Sequence, residues 1–165
     1  MRRMMAAALS LILIAAPPAP GTPLTTAPDA EKAVALMKQA KGSFEVKVTP
    51  ITLTDPMDTG GFGRLALAKT FHGDLTGTSV GMMLASTDAA QTSGGYVALE
   101  QVTGTLQGKT GSFTLMHNGT MTPQSMEMRI MVVPASGTDE LEGIAGTFKI
   151  IIEGKKHFWE FEYSL

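Results

Sequence analysis

Four side chains of this sequence have a type and a spacing that could support chemistry: Lys69, Tyr96, Glu100 and His117. Each lies in a run of alternating apolar and polar residues and has the same parity as the apolar ones. If those apolar faces share one interior, an ammonium, a carboxylate and an imidazole meet there. Such groups perturb one another's pKa and could anchor the polar end of a ligand or transfer protons. The four are therefore the predicted ligand contacts, and Glu100 and His117 are the candidate catalytic residues.

A structural interpretation of the same residues stays open, in which they form a satisfied internal network or lie in water at the ends of an interior. A second pair, His72 and Asp74, lies two residues apart on one strand face. The neighbouring glycines Gly73 and Gly77 favour a turn-stabilising aspartate beside a solvated histidine over a catalytic His–Asp pair.

A methionine cluster surrounds His117 in the sequence, and an exported Met/His cluster can bind Cu(I) through soft thioether ligands. Methionine is also an adaptable core filler, and the five residues do not share one strand face, so packing is favoured. With no cysteine and three scattered histidines, the sequence predicts no metal site and no cofactor. The five methionines are Met116, Met121, Met126, Met128 and Met131.

The elements that must position these residues are strands, because the pattern alternates with a period of two after Gly42. An even number of closely spaced strands favours a small closed antiparallel β-barrel, in which no strand edge is left exposed. A barrel of this size is either filled by its own side chains or just wide enough for one small ligand. The eight predicted strands are 43–49, 64–72, 78–86, 95–103, 111–117, 126–133, 146–153 and 156–163.

Two segments repeat the signature Leu-x-Gly-x-x-Gly-(Ser/Thr)-Phe, at 106–113 and 141–148. In each, a strand ends, glycines permit positive φ, and a new apolar run begins. Asn118-Gly119 predicts either a hairpin turn or a bulge within one longer ribbon.

The chain opens with Arg2 and Arg3, an apolar run over 4–16 and then prolines, which is the order of a secretory signal peptide. We expect a leader over 1–16, with cleavage there or a few residues later, and a spacer with a short helix (29–40) over 17–40. The barrel domain is expected over 41–165. The protein is then exported, periplasmic or secreted, without a stable membrane anchor. Its formal net charge of −2 offers no electrostatic footprint for nucleic acid.

Five segments of the chain form a recognisable pattern in this order: 69–79 (KTFHGDLTGTS), 94–100 (GGYVALE), 104–113, 117–121 and 160–163. Together they resemble a bacterial family known only as a domain of unknown function, numbered three-two-two-four, whose fold is similar to the allene oxide cyclase barrel. The resemblance covers about residues 41 to 165 and implies a compact β-barrel whose wider relatives act on or bind apolar small molecules. It transfers no catalytic residue.

Three functions are compatible with the sequence. The first is a barrel that binds a small apolar or amphipathic molecule in its lumen. The second is a cyclase- or isomerase-like enzyme that uses Glu100 or His117 as its acid–base group. The third is a barrel without ligand that acts through protein contacts, such as a homo-oligomer that buries the aromatic face of 157–163.

Overall fold

The computed structural model describes residues 37–52 and 62–165, which form one closed antiparallel β-barrel. Each strand pairs with the next along the chain, and β8 pairs with β1 to close the barrel. The predicted all-β fold and all eight predicted strands are confirmed. The strands are β1 Lys38–Pro50, β2 Gly63–Gly73, β3 Leu75–Thr87, β4 Gly94–Leu106, β5 Lys109–Met121, β6 Met126–Val132, β7 Ala145–Glu153 and β8 Lys156–Ser164.

The first strand begins earlier than the sequence predicted. Lys38–Ala40 was expected to end a helix, yet these residues pair in register with Tyr163–Phe161 of β8. Cross-strand pairing at the closing seam outweighs the helix propensity of these few residues. The predicted leader, the spacer and the remainder of that helix lie outside the described residues.

The two glycine signatures form different turns. In the first, Gln107 and Gly108 both have positive φ, as a tight turn between β4 and β5 requires. In the second, Leu141 ends a short 3-10 helix, Asp139–Leu141, and β7 begins at Ala145. Within the part of the chain that the structure describes, no helix is long and apolar enough to cross a membrane.

Asn118 and Gly119 lie inside β5 and form no hairpin turn. The chain turns instead at 122–125, where the Thr122 amide and the Ser125 carbonyl are hydrogen-bonded at 2.8 Å. The longer ribbon is therefore confirmed, but the bulge is not, because Asn118 and Gly119 pair one to one with both neighbouring strands.

One end of the barrel, here the closed end, is packed shut. The connection between β6 and β7 folds Leu141 and Ile144 over it, and both are buried. Beneath them lie stacked rings, with centroids 5.7 Å apart between Phe113 and Phe161 and 5.0 Å apart between Phe161 and Tyr163. This half of the lumen is a filled core.

The opposite end, here the open end, keeps its inward-facing apolar side chains partly exposed to water. Val48 and Ile152 are 46% and 49% exposed, although both alternate in phase with buried residues of their strands. Four further inward-facing residues are half-buried. We call this group the mouth, and its members are Val48, Leu65, Met83, Tyr96, Met128 and Ile152.

Candidate functional site

The predicted ionisable residues meet in one layer across the middle of the lumen. Ser79 on β3 is the register partner of Lys69 on β2. Glu100 on β4 lies two residues nearer the open end than the partner of Ser79, and His117 on β5 lies two nearer than the partner of Glu100. Strands of a closed barrel tilt, so a slip toward one end from strand to strand brings residues to a similar height. We call Lys69, Ser79, Glu100 and His117 the charged layer.

Glu100 is the centre of the charged layer and has no exposed surface. Its Oε2 accepts a hydrogen bond from Nζ of Lys69 at 2.6 Å, and its Oε1 accepts one from the hydroxyl of Ser79. Both carboxylate oxygens are thus engaged by donors on the two preceding strands. This arrangement compensates a charge that would otherwise be very costly to bury.

The Lys69 side chain is almost entirely shielded from water and lies between the carboxylate and two aromatic rings. Its Nζ is 5.0 Å from the centroid of Phe44 and 5.9 Å from that of Phe71. Both kinds of neighbour stabilise the cation: the carboxylate by its negative charge, and the aromatic rings by their quadrupole. The ammonium is therefore fixed in place and is not available to bulk water.

His117 has a buried ring nitrogen that is not fully used. Nε2 lies 2.9 Å from Oε2 of Glu100, but the approach is not aligned for a hydrogen bond, and Nε2 has no aligned partner among the described residues. The two side chains are therefore in close contact without an aligned hydrogen bond. The register partner of His117 on β4 is Ala98, which lies between Glu100 and Tyr96 in the inward-facing series of that strand.

The environment of Glu100 holds its carboxylate ionised. Burial raises the pKa, but the adjacent His117, the charge and hydrogen bond of Lys69 and the hydroxyl of Ser79 together outweigh burial and lower the pKa to about 2. A general base works best with a pKa near the working pH. Glu100 is therefore a weak base at neutral pH, which weighs against it as the proton acceptor of an enzyme.

Tyr96 stands above the charged layer on the mouth side. Its ring lies against Gly119, where an added Cβ would come within 2.5 Å of the tyrosine ring. Burial and the nearby charge of Glu100 raise the pKa of the Tyr96 hydroxyl. The absence of a side chain at Gly119 thus leaves the space that the Tyr96 ring occupies.

A concavity of about 1110 Å³ lies beside the mouth at the open end, and Tyr96 contributes to its wall. Most of its lining residues alternate to the outside of the barrel, so it opens on the outer wall. Lys69, Glu100 and His117 do not line it. Of the four predicted contacts, three are therefore brought together in the dry interior, and Tyr96 is the one near solvent.

The second pair predicted from the sequence, His72 and Asp74, is not a pair in the structure. His72 contacts Glu45, with 2.8 Å between Nε2 and Oε2, while Asp74 accepts a hydrogen bond from the amide of Lys41. The two therefore do not pair with each other, and Asp74 extends the pairing of β1 with β2 by one position beyond Gly42 and Gly73.

Two of the five methionines near His117 point away from it. Met116 and Met131 are register partners on the outer wall, whereas His117 points into the lumen. Over residues 37–52 and 62–165, no group of three or more His, Cys, Asp or Glu residues is arranged to hold a metal ion.

Comparison with known proteins places this geometry in a family. The sequence profile described as "Protein of unknown function (DUF3224)" matches residues 40–163. The chain belongs to the DUF3224 family. It is also similar to the crystal structure of a DUF3224 protein of unknown function from Shewanella oneidensis MR-1, with 45% identity and a TM-score of 0.70. That match covers 78% of this chain and 98% of the other. No curated protein matches significantly.

Membership of DUF3224 confirms the family resemblance seen in the sequence, while the likeness to allene oxide cyclase stays a prediction. Two residues of the site were missed from the sequence. Ser79 has the parity of Leu75 on its strand, which was a usable signal for an inward position. Gly119 was interpreted as turn chemistry, and its role as space for Tyr96 depends on a cross-strand partner that the sequence alone does not give.

Proposed function

We propose that this DUF3224 protein is an exported barrel that binds a small amphipathic molecule in its mouth. The apolar part would lie among the mouth side chains, and the polar end would face His117 and Tyr96. One observation carries this proposal: a charged layer closed to water lies beneath apolar, inward-facing side chains that remain partly exposed.

The apolar half of the proposal rests on the mouth itself. Val48 and Ile152 point into the lumen yet keep nearly half of their surface in water. Covering such residues with an apolar ligand removes that surface from water, at about 25 cal/mol per Å². Ligand pockets are typically apolar walls with a few placed polar groups, and the mouth of a β-barrel is a common location.

The polar half rests on the charged layer. A buried ion pair can often be replaced by apolar residues of similar volume without loss of stability. The stability of the barrel therefore does not by itself explain the presence of Lys69 and Glu100. Nε2 of His117 is buried and has no aligned hydrogen-bond partner among the described residues. A ligand carrying a hydroxyl or carboxyl group would supply that partner.

The first test is native mass spectrometry of the protein in the form in which its cell accumulates it. We expect a retained small molecule in a one-to-one ratio and a mass that lacks the N-terminal leader. A bare mass, combined with no saturable binding of dansyl-labelled undecanoic acid, would contradict the binding proposal. A full-length mass in the cytoplasmic fraction would contradict export.

A matched pair of variants locates the site. Met83→Trp fills the mouth from the inner wall, whereas Thr49→Trp adds the same ring to an exposed, outward position near the same end. We expect Met83→Trp to weaken binding of the dansyl probe at least about tenfold, equivalent to ~1.4 kcal/mol, and Thr49→Trp to leave it unchanged. Equal effects of the two variants would place the probe outside the mouth.

A further inference from the structure

The outer wall of the barrel has one side without charge. On β3, β4 and β5 the outward positions hold no Asp, Glu, Lys or Arg, and each strand contributes six of them. A typical soluble surface of this size would carry roughly five charges. The opposite side, formed by β7, β8 and β1, carries charges of both signs at outward positions. Those charged residues are Lys41, Glu45, Lys47, Lys149, Glu153, Lys156, Glu160 and Glu162.

We call the outward surface of β3–β5 the neutral face, and its centre is apolar. Leu99 lies between its register partners Met82 and Met116, which form a row across the three strands. A second row pairs Leu84 with Val97. Six large apolar side chains on this face are 40% to 65% exposed, a concentration that marks an interaction site more than a solvated wall. They are Val80, Met82, Leu84, Val97, Leu99 and Met116.

We propose that the neutral face binds the neutral face of a second copy of this chain, which gives a twofold dimer. Three neighbouring strands of 13 residues span about 14 Å by about 43 Å, or roughly 600 Å² in projection, at the usual strand spacing and rise. A standard interface needs about 800 Å² per partner, and the flanking strands β2 and β6 supply the remainder as a rim. Arg64, Glu127 and Arg129 occupy those flanking strands, so the rim is charged where the centre is not.

The absence of charge selects this partner over others. A twofold interface places each surface against itself, so any cluster of like charges would oppose its own copy. The neutral face has no charged residue at its outward positions, so this repulsion does not arise. Anionic lipid and nucleic acid are attracted by Lys and Arg, which this face also lacks. Homodimer interfaces are more apolar than transient interfaces, and the centres of protein interfaces are depleted of charged residues.

Sedimentation equilibrium of the protein, in the form in which its cell accumulates it, tests the proposal. We expect the mass of two chains at tens of micromolar. Leu99→Lys would place two ammonium groups near the twofold axis and should raise the dissociation constant at least about a hundredfold, giving one chain. Thr147→Lys makes the same type of change at an exposed outward position of β7 and should leave the dimer intact.

Cross-linking gives a second measurement that does not depend on the lysine variant. The chain has no cysteine, so Leu99→Cys introduces a single thiol. A short bis-maleimide should join two Leu99→Cys chains and should not join Thr147→Cys chains. A monomeric wild type, a trimer, or a dimer that survives Leu99→Lys would overturn the proposal. Binding of a monomeric wild type to phosphatidylcholine vesicles would also overturn it and would assign the face to a lipid surface.

Discussion

The two ends of the lumen are built from the same alternating pattern and reach opposite degrees of burial. At the closed end Leu75, Leu106 and Phe161 have no exposed surface. At the open end Val48 and Ile152, equally apolar and equally inward-facing, are about half exposed. Strand periodicity therefore determines whether a side chain points into the lumen, but it does not determine whether that side chain is buried.

The connections between strands account for the difference. The 133–144 connection at the closed end carries Leu141 and Ile144 into the lumen. Of the described connections at the open end, the segments 88–93, 122–125 and 154–155 contribute no buried residue. The charged layer lies between the two ends, and its side chains are nearly as well shielded from water as those of the closed end. Whether it behaves energetically as core or as binding site can be measured.

The largest effect is expected from Glu100→Ala. It leaves the buried ammonium of Lys69 without a counter-ion, and the free energy of unfolding should fall by about 3–5 kcal/mol in urea titrations. The combined variant Lys69→Met, Ser79→Ala, Glu100→Leu and His117→Leu removes every polar side chain of the layer and should unfold at a urea concentration close to that of the wild type. A small loss for Glu100→Ala alone would mean that the layer is hydrated and belongs to the open end.

Equivalent truncations at the two ends test the comparison directly. Leu106→Ala at the closed end should cost about 3 kcal/mol, since it creates a cavity in a filled core. Ile152→Ala at the open end should cost less than about 1 kcal/mol, because half of its surface is already in water. Urea unfolding at one temperature measures both. Equal losses would show that the mouth is covered in solution.

The pH dependence of stability gives a further test of whether the charged layer behaves as buried core. The pKa of Glu100 is lowered from 4.5 to about 2, so the unfolded chain takes up this proton first as the pH falls. The stabilisation from this group is complete above about pH 4.5 and is lost between there and about pH 2, by at most ~1.4 kcal/mol per pH unit.

Glu100→Gln should remove this contribution, so the stability difference between wild type and variant should shrink across that pH range. Glu153→Gln, which alters an exposed carboxylate at the open end, is the control and should change the slope little. A Glu100→Gln variant whose stability keeps the wild-type pH slope would show that the Glu100 carboxylate is not held ionised by the fold.

Much of this architecture can be predicted from the sequence because alternation determines strand phase directly. Lys69, Glu100 and His117 share parity with their apolar neighbours, and all three do point into the lumen. Their meeting at one height follows from strand tilt and register, which depend on the closed barrel and not on any local segment.

The aromatic face of β8 shows where the same reasoning failed. Trp159, Phe161 and Tyr163 were considered as an oligomer contact, yet each is at most 1% exposed and packs inside the barrel. The neutral face was missed for a related reason. Outward positions such as Met82 and Leu99 look like ordinary strand residues until cross-strand register places them side by side.

The seam between β1 and β8 has a consequence for the order in which the molecule acquires its structure. Lys38 pairs with Tyr163, so closure joins the first described strand to the last across nearly the whole barrel sequence. Pairing between residues so distant in the chain comes late in folding and slows it. While β8 has not yet left the ribosome, β1 and β7 both have unpaired edges, and the barrel cannot close until β8 has been synthesised.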